Sequence, residues 1–178
     1  MIYISAGHHS LKKGASFEEF YEHDEALVWV DLLVCHLKDI AVRVPPGVLK
    51  EKVKFINEGE AKIAIEVHFN SAIDSNGNRV GKGSETLYYP GSEKGLSLAK
   101  AVQLVLARHF PPSRGVKEGW YRMDKRKGPD YFLARTKCPA IIIEPEFVHR
   151  KEIIRSKRSD ACKDLAYALR EYYEHELE

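Results

Sequence analysis

Cysteine is scarce in the chain: there are 3 among 178 residues, an odd number with no C-x-x-C pair, so neither a disulfide framework nor a cysteine zinc site is supported. Cys35, Cys138 and Cys162 are expected as free thiols. An excess of one charge is also missing, since 28 Lys and Arg face 26 Asp and Glu for a formal net charge of +2. No long basic stripe interleaved with aromatics occurs outside one C-terminal segment, so nucleic-acid binding is not expected. No apolar run approaches membrane-spanning length, and no membrane insertion is expected. The opening M-I-Y-I-S-A-G-H-H has no basic region and ends in glycine and histidines, which reads as a first strand rather than a signal peptide. Synthesis as a cytoplasmic product is therefore expected. Internal repeats and low-complexity segments are absent, and the length suits one domain with a sizeable core.

What the chain does have is an alternation of short apolar runs with longer amphipathic stretches. Ile2 to Ala6 reads as a buried strand, and Gly7 lets the backbone turn so that His8 and His9 emerge at its carboxyl end. After a polar loop, Phe17 to Tyr21 lead into a helix to about Lys38, with Leu27, Val30, Leu33, Val34 and Leu37 on its apolar stripe. Ile40 to Val44 is a strand closed by Pro45, Pro46 and Gly47, and Val48 to Glu58 is a helix ending at Gly59. The run Ile63 to Ser71, apolar apart from Glu66 until it breaks at His68 and Asn70, reads as the central strand, buried on both faces. Ser84 to Tyr89 is another strand, and Ser92 caps a helix through His109. Arg114 to Lys127 has no clean period and mixes Trp120 and Tyr121 with Arg122, Lys125 and Arg126, as a surface loop does. Tyr131 to Ala134 is expected as a short strand or turn, Ala140 to Ile143 as a second buried strand, and Asp160 to about Glu174 as the last helix. The cluster Arg150, Lys151, Arg155, Lys157, Arg158 and Lys163 is expected as a solvated face. This alternation predicts a single α/β domain with a mostly parallel mixed central sheet and helices on both faces.

Three buried strands end in groups that bind metals or move protons: His8 with His9, then His68, then Glu144 with Glu146. Open α/β sheets place ligands beyond the carboxyl ends of their strands, and parallel neighbours bring such ends to one edge. Each residue alone has an ordinary alternative. A lone strand histidine is more often satisfied by hydrogen bonds, and Glu22, in the first turns of its helix, is favoured there by the helix dipole. Together they offer two imidazoles and a carboxylate, the protein ligands of a catalytic zinc site with one position open. A further carboxylate free of the metal can exchange a proton with water and leaving group, and Glu144 is placed for that.

The chain carries, in order, A-G-H at Ala6 to His8, Glu22 opening the first helix, F-I-N-E-G at Phe55 to Gly59, V-H-F-N-S at Val67 to Ser71, G-S-E-T-L-Y-Y at Gly83 to Tyr89, R-G-V-K at Arg114 to Lys117 and P-A-I-I-I-E at Pro139 to Glu144. In this order it resembles the zinc-dependent N-acetylmuramoyl-L-alanine amidases of the third type, which include catalytic domains of phage endolysins. The resemblance covers nearly the whole chain. It implies that His8, Glu22 and His68 bind zinc, that Glu144 is the catalytic carboxylate, and that peptidoglycan is cleaved between N-acetylmuramic acid and L-alanine. With that activity, the missing signal peptide argues for a phage or prophage endolysin that reaches the wall through a phage-encoded pore over an exported housekeeping enzyme, and a single catalytic domain over 1–178 with no separate wall-binding domain is expected. Wall affinity then rests on Trp120, Tyr121 and the basic cluster, or on a partner. The chain departs from the family at three places. His9 stands where a glycine often follows the first histidine. E-P-E-F adds Glu146, which strand alternation would point the same way as Glu144. His23 replaces a lysine and is expected to be exposed. Two other readings use the same residues: a zinc carboxypeptidase-like peptidase, and a non-catalytic wall-binding domain.

Overall fold

The computed structural model describes residues 1–175. In chain order its elements are β1 (Ile2–Ala6), β2 (Ser16–Phe17), β3 (Phe20–Tyr21), α1 (Glu22–Leu37), β4 (Ala41–Arg43), α2 (Leu49–Glu58), β5 (Ile63–Val67), β6 (Ala72–Ile73), β7 (Arg79–Val80), β8 (Ser84–Tyr88), α3 (Glu93–His109), β9 (Ser113–Glu118), α4 (Tyr131–Arg135), β10 (Ala140–Glu144) and α5 (Lys151–His175). One six-stranded sheet has the order β4-β1-β5-β10-β8-β9, and β2–β3 and β6–β7 form two small hairpins outside it. Strands β4, β1, β5 and β10 run parallel; β8 is antiparallel to β10, and β9 is parallel to β8.

Strands β1 and β5 are buried at every position, as central strands with both faces covered must be. Ile2, Ile4, Ile63, Ile65, Val67, Ile141 and Ile143 face the layer made by α1, α3 and α5, where Trp29, Leu98, Phe110 and Leu165 complete the larger core. The alternate residues Tyr3, Ala64, Leu87 and Ile142 face α2 and α4 through Val53, Ile56, Phe132 and Leu133. Each fully buried aliphatic side chain contributes about 1.5–3 kcal/mol of apolar transfer. None of the described helices is long and apolar enough to cross a membrane, and all three cysteines are free.

Three elements differ from the sequence expectation. Most of the first half of the supposed loop from Arg114 is the edge strand β9, whose side chains are at best half-buried and so lack the apolar alternation that marks a strand. Tyr131 to Ala134 belongs to a helix, α4, started by Asp130, whose carboxylate accepts from Phe132 N at 2.8 Å. Helix α5 begins at Lys151 rather than Asp160, because its first turns are basic and only Ile154 among them is buried. The basic cluster is correspondingly not a free solvated face. Arg150 pairs with Glu146, Lys151 with Glu18 and Arg158 with Glu25, while Lys157 donates to His109 O and Arg155 stacks on Phe20.

Candidate metal and catalytic centre

The sheet register places Ala6 beside Val67 and Val67 beside Ile143, so the residues that follow them come out at one edge. His8 leaves β1 with φ 57°, a left-handed conformation that is uncommon for a non-glycine residue and persists where surrounding contacts enforce it. Those contacts are present. Gly7 N donates to Val67 O at 2.8 Å, and Gly7 O accepts from His23 Nδ1 at 2.7 Å. His23 is thus buried, not exposed, because its turn of α1 faces the end of β1. A carbonyl only accepts, so His23 carries its proton on Nδ1. Gly7 is required for a steric reason: a Cβ there would lie 2.5 Å from the His68 ring. Gly14, at φ 77°, is required for a similar reason, since a Cβ would come within 2.4 Å of Glu22 Oε2 and 2.3 Å of the His8 ring.

Glu22 is the first residue of α1 and is 3% exposed. Its Oε2 lies 3.1 Å from His8 Nε2 and accepts from Ala15 N at 2.7 Å. Its Oε1 lies 2.8 Å from His68 Nδ1 and accepts from Phe69 N at 3.1 Å. One ligand atom from each of His8, Glu22 and His68 falls within 4.8 Å of the others. Burial alone would raise the carboxyl pKa of Glu22, but hydrogen bonds from His68 and His8 hold it well below the usual range. Burial likewise opposes the charged form of His68, and the carboxylates of Glu22 and Glu66 override it and raise its pKa well above 6.5. This donor set suits a divalent cation: a buried carboxylate faces two imidazole nitrogens, and a metal on Nδ1 of His68 would take the place of a proton. His9 lies outside the trio. Its backbone pairs with Lys12, and it lines a pocket of about 310 Å³ that His8, His68, Glu66, Tyr121 and Asp130 also border.

Glu144 ends β10, paired across the ladder with Glu85. It borders a second pocket, about 150 Å³, together with His68, Trp120, Arg122 and Asp130. Burial pushes its carboxyl up to about 7, an effect that His68 opposes and that Glu85 and Glu22 reinforce. Glu85 is itself buried and accepts from Asn70 Nδ2 at 2.6 Å, Arg114 Nε at 3.1 Å and Lys117 Nζ. The R-G-V-K stretch thereby surrounds the neighbour of Glu144 with positive charge.

Glu146 does not point the same way as Glu144. Pro145 ends the strand, so the alternation of faces stops, and Glu146 turns inward to complete exposure loss at 0%. Its Oε1 accepts from Gly83 N at 2.8 Å and Phe147 N at 3.0 Å, and its Oε2 from Arg150 Nε at 3.0 Å. Each oxygen serves packing. In Glu146→Gln the amide NH₂ must face one of these donors, which should cost about 1–3 kcal/mol. The expected result is a melting temperature lower by roughly 2–4 °C per kcal/mol, with unchanged turnover per folded molecule. A thermal melt combined with an activity assay checks it, and a collapse of turnover without loss of fold would make Glu146 the proton carrier.

The fold and this edge define an α/β protein with a His-Glu-His group able to hold a metal ion and a separate carboxylate beside it. The chain belongs to the N-acetylmuramoyl-L-alanine amidase family (Amidase_3), whose model matches residues 2–171. It is accordingly an amide hydrolase of peptidoglycan, a wall-degrading enzyme. Among solved structures it is similar to the N-acetylmuramoyl-L-alanine amidase of Clostridium difficile 630, at 23% identity and TM-score 0.81 over 98% of this chain and 96% of that one. It is similar to the catalytic domain of CwlV, an amidase of Bacillus (Paenibacillus) polymyxa var. colistinus, at 19% identity and TM-score 0.81 over 99% and 98%. The catalytic domain of the CD27L endolysin, which targets Clostridia difficile, aligns at 26% identity and TM-score 0.72 over 94% of each chain. No curated protein sequence matches the chain.

Proposed function

We propose that this amidase is zinc-dependent and of the endolysin kind, with His8, Glu22 and His68 as the metal ligands and Glu144 as the proton carrier. The observation that supports it is the convergence of the three ligand atoms within 4.8 Å, with Glu144 and His68 bordering one pocket. The likeness at 26% identity to an endolysin catalytic domain supports the second part.

Zinc held by this set would act as a Lewis acid toward the amide carbonyl and lower the pKa of water to about 7. The chain does the rest. In the reaction the water oxygen bonds to the lactyl carbonyl carbon, the C–N bond to L-alanine breaks, and a proton passes from water to the departing amine. Glu144 is the group that takes that proton and returns it, and its partly buried carboxyl suits the exchange because its pKa lies close to neutral. Arg114 and Lys117 neutralise Glu85, so that the carboxylate opposite Glu144 adds less repulsion. Glu144 must be charged to accept the proton. Activity therefore falls as pH drops through its folded value, about 7 in the metal-free site and lower once a divalent cation sits nearby.

Digestion of purified peptidoglycan should free new L-alanine amino termini and leave glycan strands intact. Mass spectrometry of the released fragments reads this directly. New reducing sugar ends, or cleavage between two amino acids of the stem peptide, would contradict it.

A further inference from the structure

The mechanism leaves unused a buried ion pair directly behind the candidate ligands. Glu66 is the fourth of the five residues of β5 and Lys52 lies on α2, with side chains 3% and 2% exposed. Every polar atom of the pair is committed. Lys52 Nζ has three protons and three acceptors: Glu66 Oε1 at 2.7 Å, Ala6 O at 2.6 Å and His8 O at 3.3 Å. Glu66 Oε2 is 3.0 Å from His68 Nε2. Isolated burial of either charge would be costly, and burying both is rarely a net gain over apolar residues of the same volume, so a pair in this position needs a reason other than stability.

We infer that Glu66 and Lys52 are positioning residues for the metal centre, setting both histidines from the face of the sheet opposite to α1. The inference rests on the metal reading above. A neutral imidazole has one N–H, and His68 can offer a lone pair from Nδ1 only if that proton is on Nε2, where Glu66 accepts it. The carboxylate thereby fixes tautomer and ring angle and makes Nδ1 a stronger donor, as outer carboxylates do for metal-bound histidines. Lys52 neutralises Glu66 and, by donating to the carbonyls on either side of Gly7, holds the left-handed turn that aims His8. Helix α1 supplies Glu22, and α2 supplies the brace, so the centre is gripped from both layers.

The test uses zinc alone, titrated into metal-free wild-type, Glu66→Gln and Lys52→Met/Glu66→Gln proteins against a competing chelator, with thermal melts of each. Glu66→Gln leaves Lys52 unpaired and should melt lower. The double variant removes both charges and should recover most of that loss. Both should bind zinc about 10–100-fold more weakly than wild type. In zinc-loaded wild type the His68 Nε2 proton should give a downfield, slowly exchanging NMR signal, and in both variants it should shift upfield and exchange faster. A double variant with wild-type zinc affinity and an unmoved proton signal would reduce the pair to packing and overturn the inference. A wild-type protein that binds no zinc at these three residues would instead overturn the metal reading, and this inference with it.

Discussion

Glu144→Gln should lower turnover by about 10²–10⁴-fold while leaving zinc content unchanged. The substitution keeps the size of the side chain but removes the group that can accept a proton, and Glu144 is not one of the three residues whose ligand atoms gather within 4.8 Å. The melting temperature should hold or rise. Burial raises the carboxyl from 4.5 to about 7, so its neutral form is the one favoured by folding, and that contribution is lost as pH rises through the folded value. Above about pH 7 the charged carboxylate opposes folding and a neutral amide does not. Elemental analysis, a pH-dependent melt and a peptidoglycan digestion assay read the three quantities. Loss of zinc would make Glu144 a ligand, and retained activity would remove it from the chemistry.

The frame of this fold was legible because its central strands are apolar on both faces. Ile2–Ala6, Ile63–Val67 and Ala140–Glu144 stand where the apolar runs are, and their ends carry the histidines and Glu144. Less could be seen where tertiary contacts decide. The strand β9 lies at the sheet edge, where polar side chains are tolerated, and α4 has too few residues to show a period. The basic cluster read as solvent-facing, but two of its partners come from far along the chain, Glu25 for Arg158 and Glu18 for Lys151. The candidate site shows the same division. Position brought out His8 with His9, His68, and Glu144 with Glu146, and the family resemblance chose His8, Glu22, His68 and Glu144 among the candidates, whereas the contacts that turn Glu146 inward after Pro145, and the packing of α1 that buries His23, come from residues distant in the chain. Glu66 did leave a mark, as the one charge inside an otherwise apolar strand, and such a charge must be paired to be buried. What the sequence withheld was its partner, because Lys52 sits on a different element.

Glu22→Gln should abolish the stabilisation that zinc confers, and activity with it. A metal that binds only the folded chain adds RT ln(1 + [L]/Kd) to stability, about 4 kcal/mol at a thousandfold excess over Kd, or a rise of some 8–16 °C for a chain of this size. Wild-type protein stripped by a chelator and reloaded with zinc should show that rise, and Glu22→Gln should melt at the same temperature with or without the metal. The pH dependence carries a second signature. In the metal-free protein, His68 is raised well above 6.5 and Glu22 held well below 4.5 by their mutual contact, although burial opposes both charges. The contribution of His68 is complete below its unfolded value and is lost as pH rises through its folded one, and that of Glu22 is complete above its unfolded value and is lost as pH falls through its folded one. The metal-free centre is therefore most stabilising between about pH 5 and 6.5. Zinc must displace the proton from Nδ1 of His68, so its increment should shrink as pH falls across that window and grow as pH rises above it. A zinc-dependent rise in Glu22→Gln equal to that of wild type would place the metal on other residues, and an increment indifferent to pH would mean that His68 gives up no proton to bind it.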